Sequence, residues 1–225
     1  MSAASSARQL TRVRASVCAC RNQADITNSV AGGADAVGVL VAVRHQAQDA
    51  LSLGDAAKVL ERVPPYVGRY AVTHQSDPDR ISEIISSLPV DSVQLHDELI
   101  LSELLEIRRR HPQTRIVKAL HVLPGGLEED PDQWARHVDA FILDSVDTKH
   151  DRIGGTGLVH DWSISAKVVQ ELRLPVILAG GLNPSNVEAA VEVVRPWAVN
   201  VNSGVEVDGY KSEELVRAFV QGANR

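Results

Sequence analysis

The sequence predicts an α/β protein built as a single (β/α)8 barrel. Three observations carry the prediction. Short apolar runs alternate with helix-patterned stretches through the whole chain, giving eight strand–helix units of about 25 residues. The runs lack a polar alternation, as strands buried on both faces do. Polar residues or glycines follow nearly every run, which spreads candidate functional positions around one end of a barrel. A doubly wound open sheet, the alternative, would gather them at one switch point.

The elements follow in order. Val13 to Val17 is a β-prone run ending at Cys18, and Ala24 to Ala31 is helix-patterned and closed by Gly32-Gly33. Asp35 to Val43 is almost wholly apolar, a second strand. Asp55 to Val63 reads as helix and is stopped by Pro64-Pro65. Val67 to Thr73 is a strand ending near His74. Asp77-Pro78-Asp79 opens a helix to Leu88, with Ile81, Ile84, Ile85 and Leu88 at helical spacing. Ser92 to Leu95 is a strand ending at His96. Leu99 to Arg110 is a helix whose basic end suits its dipole. Ile116 to Leu120 is a strand ending at His121, followed by a short helix around Trp134. The strand Ala140 to Leu143 stops at Asp144, and Ser163 to Leu172 is the next helix. Pro175 to Leu178 runs into Ala179-Gly180-Gly181, and Pro184 to Val194 is helical. Ala198 to Val201 runs into Asn202-Ser203-Gly204, and Ser212 to Val220 is the last helix.

Composition narrows the function. With 225 residues, 44% of them hydrophobic, the chain can bury one large core, and no Pro/Gly/Ser linker divides it. Residues 1–11 are expected to be a flexible tail and 12–225 the barrel domain. A net charge of −6 argues against a nucleic-acid partner, and no apolar run reaches membrane-span length. Cys18 and Cys20 are expected to point apart, which disfavours a disulfide or joint metal ligation. A reduced, cytoplasmic protein follows. The low aromatic content, 4%, offers no obvious anchor patch, so a monomer or a homodimer is expected.

The most informative stretch runs from Val138 to Trp162. Asp144 ends a buried strand, where such a barrel keeps its chemistry. Gly154-Gly155-Thr156-Gly157 follows on the loop. Its glycines let backbone N–H groups approach a phosphate, and Thr156 adds a hydroxyl. Gly180 and Gly181 after strand seven, and Ser203 and Gly204 after strand eight, stand where barrels commonly hold phosphate. The expected partner is a phosphorylated small molecule.

These residues resemble the phosphoribosylanthranilate isomerase family of tryptophan biosynthesis. The resemblance covers roughly Val13 to Val220 and is carried by GGADAVGVL (32–40), VQLH (93–96), DAFILDS (139–145), GGTG with DW (154–157, 161–162), PVILAGGLNP (175–184) and SGVE (203–206). It implies a barrel that performs an Amadori rearrangement of an N-(5-phosphoribosyl) amine to a 1-amino-1-deoxyribulose 5-phosphate, with no metal and no cofactor. It implies Cys18 as general base and Asp144 as general acid. Gly155, Thr156, Gly157, Gly180, Gly181, Ser203 and Gly204 would bind phosphate, and His96, Asn200 and Arg44 would bind the rest of the substrate.

The chain also departs from the family pattern. Ser16-Val17-Cys18-Ala19 stands for Lys-x-Cys-Gly, Asn200 for an aspartate and Asn202 for a serine. Leu158 replaces a lysine, and Asp97 follows His96 in place of glycine. An arginine after strand two, which steadies the anthranilate end, has no clear counterpart: Asp49 falls near its place, and Arg44 or His45 could substitute. Arg69, inside an apolar run, could point into the barrel and partly replace that cation, or could sit at a strand edge. Three alternatives follow. The protein could be an isomerase or lyase of another phosphorylated sugar. It could be a metalloenzyme using His74, His96, His121 and Asp144, or a non-catalytic phosphate-ligand binder.

Overall fold

The computed structural model describes residues 12–44, 49–147, 152–153 and 161–225. Eight strands form a closed parallel ring. They are β1 (Arg14–Val17), β2 (Ala36–Val41), β3 (Gly68–Thr73), β4 (Ser92–Leu95), β5 (Arg115–Leu123), β6 (Ala140–Asp147), β7 (Val176–Leu178) and β8 (Ala198–Val201). Each pairs in parallel with the next, and β8 closes on β1 with Ser16 opposite Asn200. This is a TIM barrel. The alternation in the sequence is therefore the barrel rather than the open sheet.

Seven α-helices surround the ring among the described residues: α1 (Gln23–Ala31), α2 (Leu53–Leu60), α3 (Pro78–Ser87), α4 (Leu101–Arg110), α5 (Trp162–Glu171), α6 (Val187–Val194) and α7 (Glu213–Gly222). Most start on a side-chain cap. Asn22, Ser52, Asp77, Asp161 and Ser212 each accept a backbone N–H of the first turn, and Pro78 at the start of α3 sacrifices no helical hydrogen bond. No helix of the described residues is long and apolar enough to cross a membrane.

The short helix expected around Trp134 is a 3-10 turn, Pro131–Gln133, with Trp134 just beyond it. The reason lies on β5. Lys118 is wholly buried and bonds Glu129 Oε1 at 2.9 Å and the Ala119 carbonyl at 2.9 Å. Trp134 Nε1 donates to the other oxygen of Glu129 at 2.8 Å, and its ring lies 5.5 Å from the ammonium. A buried ammonium needs this cover, and an apolar helix face would not supply it.

The core has two parts. The outer strand face, with Val17, Val37, Ile116, Leu120, Phe141 and Leu143, packs against Ile26, Leu60, Ile81, Leu104, Val187 and Phe219 of the helices. Each fully buried Ile, Leu or Phe there is worth about 1.5–3 kcal/mol. The barrel interior is filled by Val117, Ala119, Ala140, Ile142 and Ala179 on one side and by Cys18, Ala19, Tyr70 and Val72 on the other. Tyr70 fits only because its cross-strand partner is Gly38. A Cβ there would come within 2.1 Å of the tyrosine ring.

Arg69 does not point into the barrel. It lies near the start of β3 and clasps Asp91 through its guanidinium (3.0 and 3.3 Å) and its backbone N–H (2.8 Å). The strand-edge alternative is the correct one, and Arg69 supplies no cation to the site.

Candidate active site

Cys18 follows directly on β1. Its N–H donates to the Val201 carbonyl at 2.8 Å, and only 6% of its surface is exposed. The next residue, Ala19, has φ 57°, which turns the chain out of the strand. Cys20 consequently enters the outer core beside Ser29. Both cysteines are free. They do point apart, through this left-handed residue; a continued strand would have put both on one face.

Asp144 lies on β6, three strands from β1 around the ring, and is likewise 6% exposed. It accepts the Ser145 N–H at 2.8 Å. The two residues sense one another: the Asp144 charge is among the influences that raise the Cys18 thiol.

Burial is the main influence on that thiol and pushes it up to about 11. Lys211 and a hydrogen bond with Tyr70 act against it. Lys211 comes from a hairpin, Glu206–Val207 paired with Tyr210–Lys211, that follows β8. Its buried ammonium bonds Asn202 Oδ1 and Glu206 Oε1 at 2.6 Å each. Its backbone is fastened to α1 by Asp25 and Asn28. The Tyr70 hydroxyl donates to Asn200 Oδ1 at 3.0 Å, and Ser16 Oγ donates to the same oxygen at 2.8 Å. The neutral Ser16–Asn200 pair thus occupies facing positions where the resemblance expects a lysine and an aspartate. Losing both together leaves no buried charge alone.

The loops after β7 and β8 are packed on each other. Gly180 and Gly181 take φ 85° and 63°, a region that favours glycine. Asn186 ties this loop by donating to the Gly181 carbonyl at 2.9 Å. Gly204, beside exposed Ser203, presses so closely that a Cβ would meet the Leu182 carbonyl oxygen at 2.1 Å. The third expected phosphate element, Gly155, Thr156 and Gly157, lies outside the described residues, as do Leu158 and His45.

On the far side of the mouth stand three histidines. His96, 5% exposed, follows β4, and burial first, then His121, His74 and Lys118, hold its imidazole well below the usual range. Its ring centroid is 5.9 Å from that of His74 and 6.5 Å from that of His121. His74 Nδ1 accepts the Arg44 backbone N–H at 3.0 Å. Among the described residues no group of three or more His, Cys, Asp or Glu is placed to hold a metal ion. Arg44 stands half exposed at the end of β2. Its guanidinium bonds the buried Asp97 at 2.6 Å, so the two departures noted in the sequence neutralise each other. Asp49 is likewise paired, with Arg21 at 3.4 Å.

Cys18, Asp144, His96, Asn200, Gly180, Gly181, Ser203 and Gly204 therefore all belong to the C-terminal end of the ring. Tyr70 and Lys211 escaped the sequence reading. Tyr70 looked like one more apolar strand residue, although Gly38 on the neighbouring strand was a signal of a large partner. Lys211 is five residues past Glu206, the last residue of the recognised motifs, in a stretch with no strand pattern of its own.

Known proteins share this fold. The family described as N-(5'-phosphoribosyl)anthranilate (PRA) isomerase matches residues 15–222. N-(5'-phosphoribosyl)anthranilate isomerase 2 of Methanosarcina mazei is 39% identical over 94% of each chain. A crystal structure of the dimeric enzyme from Thermotoga maritima, as mutually generated monomers, superposes with TM-score 0.75 at 30% identity, covering 94% of this chain and 98% of that one. A phosphoribosylanthranilate isomerase in complex with reduced 1-(o-carboxyphenylamino)-1-deoxyribulose 5-phosphate gives TM-score 0.71 at 30% identity with the same coverage. With the family matched over residues 15–222 and relatives alike over nearly the whole of both chains, the chain belongs to the phosphoribosylanthranilate isomerase family.

Proposed function

We propose that this protein converts N-(5'-phosphoribosyl)anthranilate to 1-(o-carboxyphenylamino)-1-deoxyribulose 5-phosphate. The observation that carries the reading is the pair Cys18 and Asp144, both buried, on separate strands of one barrel mouth whose β7 and β8 loops are built from glycine. The loops hold the phosphate through backbone N–H groups, with Gly155 to Gly157 as a third element. Asp144 gives its proton to the ribose ring oxygen. The C1–O bond breaks and an iminium forms between C1 and the amine nitrogen. Cys18 removes the proton from C2, whose electrons neutralise the iminium as an enolamine. A proton then returns to C1 and the C2 hydroxyl gives one up, which leaves a ketone at C2. Protons taken equal protons given, and the rearrangement is redox-neutral.

Burial pushes the Cys18 thiol up to about 11, too high for a resting base. The iminium supplies the missing help, because a cation beside the sulfur favours the thiolate. Lys211 and Tyr70 act in the same sense. Asn200 would meet a sugar hydroxyl through its side-chain amide N–H, and His96 would meet the anthranilate end. A second reading, a different amine on the same sugar phosphate, draws on Arg44 being committed to Asp97. Two buried free cysteines suit a reducing compartment, and we place the protein in the cytoplasm as a monomer or homodimer.

Phosphoribosylanthranilate generated in situ, with loss of anthranilate-type fluorescence followed on purified protein, tests the reading. Turnover is expected. A folded protein without turnover would move the activity to another phosphorylated sugar.

A further inference from the structure

Lys211 has 1% of its side chain exposed, so it acts on a substrate only through other groups. Its ammonium donates to the Asn202 carbonyl at 3.1 Å, to Asn202 Oδ1 at 2.6 Å and to Glu206 Oε1 at 2.6 Å. Asn202 and Glu206 flank the 3-10 turn Ser203–Val205, so one ammonium holds both ends of that turn. It also commits the Asn202 side chain, which makes no cap on the turn. A cap there would compete with a ligand for the backbone N–H groups. Gly204, in the middle of the turn, is packed on the Leu182 carbonyl, so the brace extends to the β7 loop.

The same residue is tied to the exit of β1. The Lys211 N–H donates to Asp25 Oδ1 at 3.0 Å, and Asp25 Oδ2 accepts the N–H of Arg21 at 2.8 Å, three residues after Cys18. The Cys18 N–H donates to the Val201 carbonyl, and the next carbonyl, that of Asn202, is the one on the ammonium. Lys211 from the hairpin, Tyr70 from β3 and Asp144 from β6 all act on the thiol. Asp25 and Cys18 in turn act on Cys20, and Glu206 offsets part of the Lys211 charge. An apolar side chain would anchor the hairpin without the cost of burying an ion pair. The buried charge therefore points to the site beside it.

We propose that Lys211 is a positioning residue for two parts of the site: it braces the β8 turn that meets the phosphate and holds a fixed positive charge behind Cys18. This rests on the isomerase reading above. The test uses Cys20→Ala as the parent, which leaves Cys18 the sole thiol of the chain. Uncharged iodoacetamide, at about pH 8.5, reports the thiolate of Cys18. Calorimetry with reduced 1-(o-carboxyphenylamino)-1-deoxyribulose 5-phosphate reports the grip on the phosphate. Lys211→Met combined with Glu206→Gln leaves no charge of the pair behind. It should be alkylated about tenfold more slowly, the effect of losing one nearby cation, and should bind the ligand about tenfold more weakly. Glu206→Gln alone keeps an oxygen for the ammonium and uncovers its charge, so alkylation should be severalfold faster. Loosened packing would speed alkylation in both variants, so the opposite signs separate charge from structure. Alkylation of the double variant at or above the parent's rate, or unchanged ligand affinity, would overturn the proposal and leave the isomerase reading in place. If the double variant does not fold, unchanged or slower alkylation of Glu206→Gln overturns it alone. A parent protein that does not bind the ligand would remove the isomerase reading and the proposal with it.

Discussion

Replacing Tyr70 with phenylalanine removes one buried oxygen and separates positioning from packing. The hydroxyl donates to Asn200 Oδ1 at 3.0 Å and is a hydrogen-bond partner of the Cys18 thiol. Asn200 keeps Ser16 Oγ at 2.8 Å when the hydroxyl goes, so no amide oxygen is orphaned. The expected loss of stability is then that of one ordinary buried hydrogen bond, about 1 kcal/mol, or about 2–4 °C in Tm for a chain of this size. The effect on catalysis is larger. When the thiol loses its proton, the hydroxyl can turn its hydrogen from Asn200 to the sulfur. A hydrogen bond to a charged group is worth about 1.5–3 kcal/mol, which predicts a fall in kcat of about 10- to 150-fold. The assay is steady-state turnover of phosphoribosylanthranilate beside a melting curve, with the pH dependence of thiol alkylation as a third reading. Alkylation should require a higher pH in the variant than in wild type. A kcat within twofold of wild type, in a variant with the expected Tm, would refute the role of Tyr70.

Three further outcomes follow from single contacts. Burial raises Cys20 from 9.0 to about 12 and Cys18 from 9.0 to about 11. The unfolded chain therefore gives up these protons first, and stability, whole below about pH 9, declines as pH rises toward 11–12 by several kcal/mol. Cys20→Ala should flatten this decline, and parallel Tm-against-pH curves would contradict it. Gly204→Ala sets a Cβ 2.1 Å from the Leu182 carbonyl oxygen, so the β7 and β8 loops must part. KM should rise about tenfold or more, with a smaller change in kcat and about 1–3 kcal/mol of overpacking; an unchanged KM would argue that these loops do not hold the phosphate. Glu129→Ala leaves the Lys118 ammonium buried without its carboxylate, at a cost of about 3–5 kcal/mol. Adding Lys118→Met should restore most of the Tm, and a single variant that melts with the wild type would show that the pair is worth little.

The parts of this molecule that were legible in the sequence are those with local causes. The run Ser92 to Leu95 is short, carries Val93 and Leu95 and is bounded by polar residues, and it is the strand β4 with the same limits. The capped helices announce their starts through Asp77-Pro78 and Ser212. Asp144 and the paired glycines were readable because a barrel puts function at strand ends. What escaped depends on partners distant in sequence. Ser16 and Asn200, 184 residues apart, each look like the loss of a charge until the ring closes and sets them face to face. Arg44 read as a replacement cation, and only the structure shows Asp97 already holding it. The fifth helix gave way to a 3-10 turn because Lys118, hidden in an apolar run, needed Glu129 and Trp134 above it. The position of Arg69 in the strand was right, but its direction depended on pairing with Val37, which faces the helices.

The central claim is that Cys18 and Asp144 are the base and the acid of one isomerisation. Turnover of phosphoribosylanthranilate by Cys18→Ala and Asp144→Asn, set beside wild type, tests it most directly. The account predicts an active wild type and a loss of several powers of ten in each variant, with both still folded. Either variant turning over at a rate near that of wild type would contradict it.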